Sequence, residues 1–347
     1  MKKISVITFA IIIFQTVYAQ NKLQQIMNTY KDSLKSYGVV ALVGVNDKIE
    51  TGQIGFSYPG HPINSNQLFA IGSITKNFIA VTVLKLQEQK LINIDDHIGK
   101  YIELNNKFID TSISIKQLLN HSSGLKEYSD PEFINRYLLN PKLVFSDKDI
   151  IGQIDTIGFV KGEKHEYCNT NYFLLGLIIE KIKDKPLSIV LDELIIKPYH
   201  LSNTYTYLSK DIPNFAHPIQ NNHDLIDFLP FLTITNQGKG VGQMVSCAAD
   251  LYSYFHLLFV EKKILSEKSL QVMLSFEQGD GEEYGLGIFR TKVDGKEFIN
   301  HSGRTVSYIS YLYFVPQDNL IAVVLTNNMD DTFARKIKNK IFLEFLK

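Results

Sequence analysis

The alternation of apolar and polar positions divides the chain into strands, then helices, then strands again. Leu23, Ile26, Met27, Tyr30 and Leu34 recur at helical spacing and predict an amphipathic first helix. Two strand-like runs follow over 39–45 and 53–58, with Asn46-Asp47 supplying the turn of a hairpin. From 73 to about 208 the pattern is mainly helical, with helices predicted over 73–89, 115–119, 131–139, 170–183 and 187–196. A long polar, proline-bearing connection spans 209–239, and further helices are predicted over 247–259 and 266–274. Strands return at 284–291, 297–301, 307–315 and 320–326, and Phe333, Ile337, Ile341, Phe342 and Phe345 mark a last helix.

Short turns join the last strands, at Asp294-Gly295 and at Pro316-Gln317-Asp318-Asn319, so their sheet is expected to be antiparallel. An isolated hairpin is marginal in water, and the economical solution is for the first hairpin to join that sheet. The expected fold is therefore α/β in the α+β sense. An antiparallel sheet is flanked by the N- and C-terminal helices, with a mainly helical region inserted between its strands. The sheet subdomain is expected over about 20–65 and 240–347, and the helical one over about 66–239. There is no internal repeat and no low-complexity tract.

Composition changes this picture at two points. The chain of 347 residues carries 36 basic and 36 acidic side chains, so no basic excess exists to displace the counterions of a nucleic acid. At the N-terminus, Lys2 and Lys3 precede an apolar run over 4–14, and Val17-Tyr18-Ala19 offers small residues for cleavage. This pattern predicts a signal peptide over 1–19 and a mature chain beginning at Gln20. The run is short for a bilayer and no cysteine lies beside it, so export without a lipid anchor or a stable membrane span is expected. The destination would be periplasmic or secreted. Cys168 and Cys247 are too few for a disulfide framework and are read as small buried side chains.

The candidate chemistry begins at Ser73-Ile74-Thr75-Lys76, which opens an apolar helical run. Residues three apart on a helix share a face, so the Lys76 amine comes within reach of the Ser73 hydroxyl, as an activated nucleophile requires. A second Ser-x-x-Lys, Ser123 to Lys126, lies in the turn-like run Asn120-His121-Ser122-Ser123-Gly124, where nothing sets a helical register. Tyr167-Cys168-Asn169 precedes a helix, and extended alternation sends Tyr167 and Asn169 to one side and Cys168 to the other. A phenol and a carboxamide then project together. His301-Ser302-Gly303 ends a strand, whereas the similar His97-Ile98-Gly99 sits in a turn region. Taken singly, Tyr167 reads as a core tyrosine, Asn169 as a helix cap, and His121 as a residue that holds a loop. His165, His217 and His223 lack the spacing of metal ligands, so neither a metal nor a cofactor is expected.

Taken in order, these motifs resemble those of the penicillin-recognising serine hydrolases, and in particular the branch of class C β-lactamases, D-alanyl-D-alanine carboxypeptidases and related esterases. Further stretches are similar to that family: 69–73, 118–125, 245–251, 284–287 and 323–327. The resemblance implies a β-lactamase/transpeptidase-like fold and hydrolysis through an acyl-enzyme on Ser73. Lys76 would take or relay the proton, and Tyr167 would act as base in acylation and acid toward the leaving group. Asn169 would bind the substrate amide, and the backbone N–H groups of Ser73 and Arg304 would form the oxyanion hole. His301, Ser302 and Gly303 occupy the place of the family's Lys-Thr-Gly. Ser302 keeps a hydroxyl for a substrate carboxylate, while His301, near-neutral at pH 7, anchors an anion less well than lysine. The implied substrate is an amide or ester, with a D-amino-acid peptide of the cell wall preferred and a monomer as the working unit. The alternatives are a catalytically silent envelope-binding protein of the same fold and a weak β-lactamase.

Overall fold

Val39, Ala41 and Val43 face one way along strand β1 (Gly38–Val45), Val40 and Leu42 face the other, and all are buried. The computed structural model describes residues 21–346 apart from 35, 47, 141–142, 207–211, 228–237 and 279–282. The expected signal peptide and much of the connection over 209–239 lie outside the described residues.

In chain order the remaining strands are β2 (Lys48–Tyr58), β3 (His61–Pro62), β4 (Phe69–Ala70), β5 (Ile219–Gln220), β6 (His223–Asp224) and β7 (Val245–Ser246), then β8 (Glu277–Gln278), β9 (Glu283–Tyr284), β10 (Phe289–Val293), β11 (Lys296–Arg304), β12 (Ile309–Val315) and β13 (Leu320–Thr326). Among the described residues the main sheet has nine strands in the order β3-β2-β1-β13-β12-β11-β10-β9-β8, every neighbour antiparallel. The first hairpin joins through β1 against β13, with Val39 opposite Thr326 and Val45 opposite Leu320. Both central strands are buried on both faces, which explains their nearly unbroken apolar runs.

The helices are α1 (Lys22–Asn28), α2 (Thr75–Glu88), α3 (Ile115–Leu119), α4 (Pro131–Leu139), α5 (Asp147–Gly152), α6 (Asn169–Lys183), α7 (Leu187–Leu191), α8 (Ala248–Phe255), α9 (Glu267–Met273) and α10 (Thr332–Phe345). The terminal helices α1 and α10 cover one face of the sheet, packing Leu23, Met27, Ile337 and Ile341 onto Val39, Ala41, Ala322 and Val324. Helical elements cover the other face through a larger core that includes Phe78, Val40, Leu42, Val323 and Leu325. At its centre lies α2, buried on nearly every side, its apolar run over 78–84 broken only by Thr82 and its buried first turn carrying Thr75, Lys76 and Asn77.

Two of the departures from the sequence expectation have a clear local cause. The strand expected over 284–291 is two strands, β9 and β10, because the chain turns at Gly285-Leu286-Gly287 and Gly285 N–H bonds to Ile288 O at 2.9 Å. Gly287 has φ +74°, and a Cβ there would strike the Ala80 side chain of α2, so tertiary packing breaks the strand. The two-residue ladder of β4 with β7 pairs Phe69 with Ser246 and Ala70 with Val245, and it is too short to leave a period in the sequence.

Candidate active site

The segment carrying Ser73 is fixed before the helix begins. Residues Gly72–Ile74 form a 3₁₀ turn that leads into α2. Gly72 adopts φ +50°, and a Cβ there would stand 2.7 Å from the Arg304 nitrogen, so only glycine lets β11 approach this closely. One turn on, the Lys76 ammonium donates to Ser73 Oγ at 3.0 Å and to the Val241 carbonyl at 3.0 Å. Ser73 is partly open to solvent, whereas Lys76 is completely buried. Burial pulls the Lys76 amine down from its ordinary 10.5 to about 7, against the opposing pull of Glu127 and Cys168. A lysine near neutrality can accept a proton.

Tyr167 lies over the same amine, with its ring centroid 5.0 Å from Lys76 Nζ. Burial raises its phenol above the usual value, and a hydrogen bond with Ser73 works the other way. The turn that carries it is gripped by the segment over 120–129. The Cys168 N–H donates to His121 Nδ1 at 3.2 Å, and the Asn169 N–H to Glu127 Oε2 at 2.5 Å. Thr170 Oγ1 donates to the Lys126 carbonyl at 2.6 Å and accepts from the Tyr128 N–H at 3.0 Å. Because His121 Nδ1 accepts, its proton sits on Nε2, and burial holds the ring neutral. His121 thus holds a loop, with its own ring 4.4 Å from that of Tyr167.

Asn169 is the first residue of α6, and its Nδ2 donates to Ser129 Oγ at 3.1 Å. Its Oδ1 is buried and has no hydrogen-bond partner among the described residues.

The third piece is the end of β11. Its pairing with β10 stops at Asn300 opposite Phe289, so from His301 to Arg304 that edge carries no strand among the described residues. The Thr305 N–H bonds to Tyr308 O at 3.0 Å, and antiparallel alternation then turns the Arg304 and Ser302 backbone groups away from β12 and toward this open edge. The Arg304 N–H therefore faces the Gly72-Ser73 turn, where the Ser73 N–H is a second donor. A Cβ on Gly303 would land on the Ile71 carbonyl oxygen. Gly303→Ala is expected to push the strand away from the turn and to lower kcat by about 10²–10³-fold, the usual effect of losing one oxyanion donor. Steady-state kinetics with a fixed ester substrate checks this; wild-type kcat would contradict it.

The side chains of this strand behave differently from one another. His301 is 1% exposed, with Nδ1 2.7 Å from the Ser302 carbonyl and Nε2 3.3 Å from the Tyr284 hydroxyl. Burial lowers it to about 3, so it is a neutral ring among Tyr167, Tyr284 and Phe289. Ser302 is exposed on the opposite face. Arg304 points its guanidinium toward Asp331 at 3.8 Å, and it is its backbone that meets the Gly72 turn. The other Ser-x-x-Lys serine, Ser123, is buried and donates to Asn171 Oδ1 at 2.5 Å. Cys168 and Cys247 are free, buried thiols, raised to about 12 and about 11 by burial. Among the described residues no group of three or more His, Cys, Asp or Glu is placed to hold a metal.

Sequence reasoning missed Glu127. A single acidic residue in a loop carries no local signal; only the folded chain shows it bonded to the start of α6.

A family model described as Beta-lactamase matches residues 23–344. The chain belongs to the beta-lactamase family. Among curated relatives of this beta-lactamase-family chain, the putative penicillin-binding protein PbpX of Bacillus subtilis (strain 168) is 25% identical over 327 residues, spanning 92% of this chain and 77% of the relative. The D-amino acid amidase of Ochrobactrum anthropi SV3, solved with D-phenylalanine, superposes with a TM-score of 0.80 at 19% identity, covering 92% of this chain and 97% of that one. An octameric penicillin-binding protein homologue from Pyrococcus abyssi superposes with a TM-score of 0.74 at 21% identity, covering 93% and 76%. The fold therefore also occurs in an assembly, and a single working unit does not follow from it. Among the described residues no helix is long and apolar enough to cross a membrane.

Proposed function

We propose that this chain is an exported serine amidohydrolase that forms an acyl-enzyme on Ser73, with D-amino-acid amides or short D-peptides as substrates. The observation that carries the reading is a fully buried amine, lowered to about 7, donating to a partly open serine hydroxyl at 3.0 Å. In the neutral state Lys76 accepts the Ser73 proton as Oγ attacks the carbonyl carbon. The oxygen that gains charge is met by the Ser73 and Arg304 N–H groups. Tyr167, held as a phenol, passes a proton to the departing nitrogen or oxygen and is reprotonated from Lys76. The leaving group departs with that proton, and water then hydrolyses the ester.

His301 supports an amidase over a carboxypeptidase. A ring neutral down to about pH 3 and 1% exposed provides no cation for a terminal carboxylate. The D-amino acid amidase of similar fold supports the D configuration, and the basic-then-apolar N-terminus supports export.

Intact-mass measurement after exposure to a fluorophosphonate tests the nucleophile, with a single adduct on Ser73 expected. Parallel rates on D- and L-phenylalanine amide, D-Ala-D-Ala peptides, p-nitrophenyl acetate and nitrocefin test the substrate. The D-amide is expected to lead. Absence of an adduct would favour a silent binding protein, and a lead by nitrocefin would favour a β-lactamase.

A further inference from the structure

We infer that Glu127 is a positioning residue for this reaction: its carboxylate anchors the Tyr167-Cys168-Asn169 turn beside Ser73 and contributes a carboxylate to the electrostatic surroundings of the Lys76 amine. The inference rests on Ser73 being the nucleophile.

The anchoring is geometric. Glu127 Oε2 accepts from the Asn169 N–H at 2.5 Å, at the first residue of α6, where a helix leaves its N–H groups without intrahelical partners. An anion there is also favoured by the helix dipole. Glu127 Oε1 accepts from the Ser129 N–H at 2.8 Å and from Ser129 Oγ at 2.7 Å. Ser129 Oγ in turn accepts from Asn169 Nδ2 at 3.1 Å. One carboxylate therefore orients both the backbone and, through Ser129, the side chain of Asn169, and with them the phenol two residues earlier.

The charge argument comes from what else surrounds Lys76. Its neighbours are the Ser73 hydroxyl and Val241 carbonyl, the rings of Tyr167 and Tyr172, and the imidazoles of His121 and His301. Burial keeps both tyrosines as phenols, both histidines neutral and the Cys168 thiol protonated. Glu127 is thus the carboxylate among the described groups acting on Lys76, and it opposes the effect of burial there. It holds the amine near neutrality where burial alone would carry it lower.

The test compares kcat and kcat/KM against pH for p-nitrophenyl acetate, with Ser73 labelling as the check on folded, active protein. Wild type, Glu127→Gln, Glu127→Asp and Ser129→Ala are measured side by side. Removing the charge in Glu127→Gln lowers the Lys76 pKa further, so the acidic limb is expected to move down by about one pH unit. Glu127→Asp keeps the charge and shortens the reach. Its limb should stay in place while kcat falls about tenfold, the scale of a misplaced catalytic group. Ser129→Ala should lower kcat without moving the limb. A merely structural Glu127 would lower kcat and leave the limb of Glu127→Gln where it was, and that result overturns the inference. So does wild-type kcat in Glu127→Asp, which remains decisive if Glu127→Gln fails to fold. A wild-type chain that does not label at Ser73 overturns the hydrolase reading and this inference together; a labelled wild type with an unmoved Glu127→Gln limb overturns this inference alone.

Discussion

Replacing Ser73 with alanine is expected to abolish turnover, lowering kcat by at least ~10⁴-fold, and to remove the fluorophosphonate adduct. Lys76 is buried beneath Ser73, and the Tyr167 phenol is raised by burial, so neither offers a ready nucleophile. Any residual rate would come from the oxyanion donors and from binding alone. The fold should be indifferent to the change. The turn is shaped by Gly72 and by β11, and the truncation removes a partly exposed hydroxyl while Lys76 keeps its bond to the Val241 carbonyl. A shift in stability of about 1 kcal/mol or less is expected by thermal unfolding. Ser123→Ala is the matched control. Ser123 shares the Ser-x-x-Lys spacing, yet its hydroxyl donates to Asn171 and accepts from the Leu125 N–H inside the core. That substitution should cost stability and leave the adduct on Ser73. An adduct that persisted in Ser73→Ala would place the nucleophile elsewhere.

The contrast between these two serines shows what was legible in the sequence. Ser73 and Lys76 meet through local helix geometry, which a spacing of three residues reveals once an apolar run shows that the helix exists. The nearly unbroken apolar runs of β1 and β13 likewise marked the central strands, since both are buried on both faces. Contacts between distant segments left no such trace. The break between β9 and β10 depends on Gly287 meeting Ala80 of α2. The Arg304 donor depends on how far β11 outruns β10, and the direction of its side chain on Asp331. That Tyr167 comes over Lys76 was readable only through resemblance to a family, because nothing in an isolated Tyr-x-Asn says which helix it will face. Glu127 had no such support at all. The grip it exerts joins a loop to a helix start some forty residues on, and neither end carries a spacing that betrays the other.

Lys76→Met should lower kcat/KM by about 10³-fold or more while raising stability, and the pH dependence of both effects follows from one buried amine. The wild-type rate should rise with pH through about 7, since the protonated amine cannot accept the Ser73 proton. Methionine fills a similar volume without an acceptor, so the variant's residual rate should lose that limb. Stability runs the opposite way. The folded-state pKa lies below the ordinary 10.5, so the unfolded chain binds this proton more readily. The folded state is therefore penalised fully below pH 7, and the penalty fades as pH rises toward 10.5. A shift of this size corresponds to about 5 kcal/mol, part of which is offset in the variant by lost hydrogen bonds to Ser73 and Val241. A net gain of about 1–3 kcal/mol in Lys76→Met is expected at pH 6, shrinking by pH 10. Denaturant unfolding at the two pH values checks this. A gain that did not change with pH would mean that the amine is not held short of its proton by burial, and the proton transfer from Ser73 would then lose its driving group.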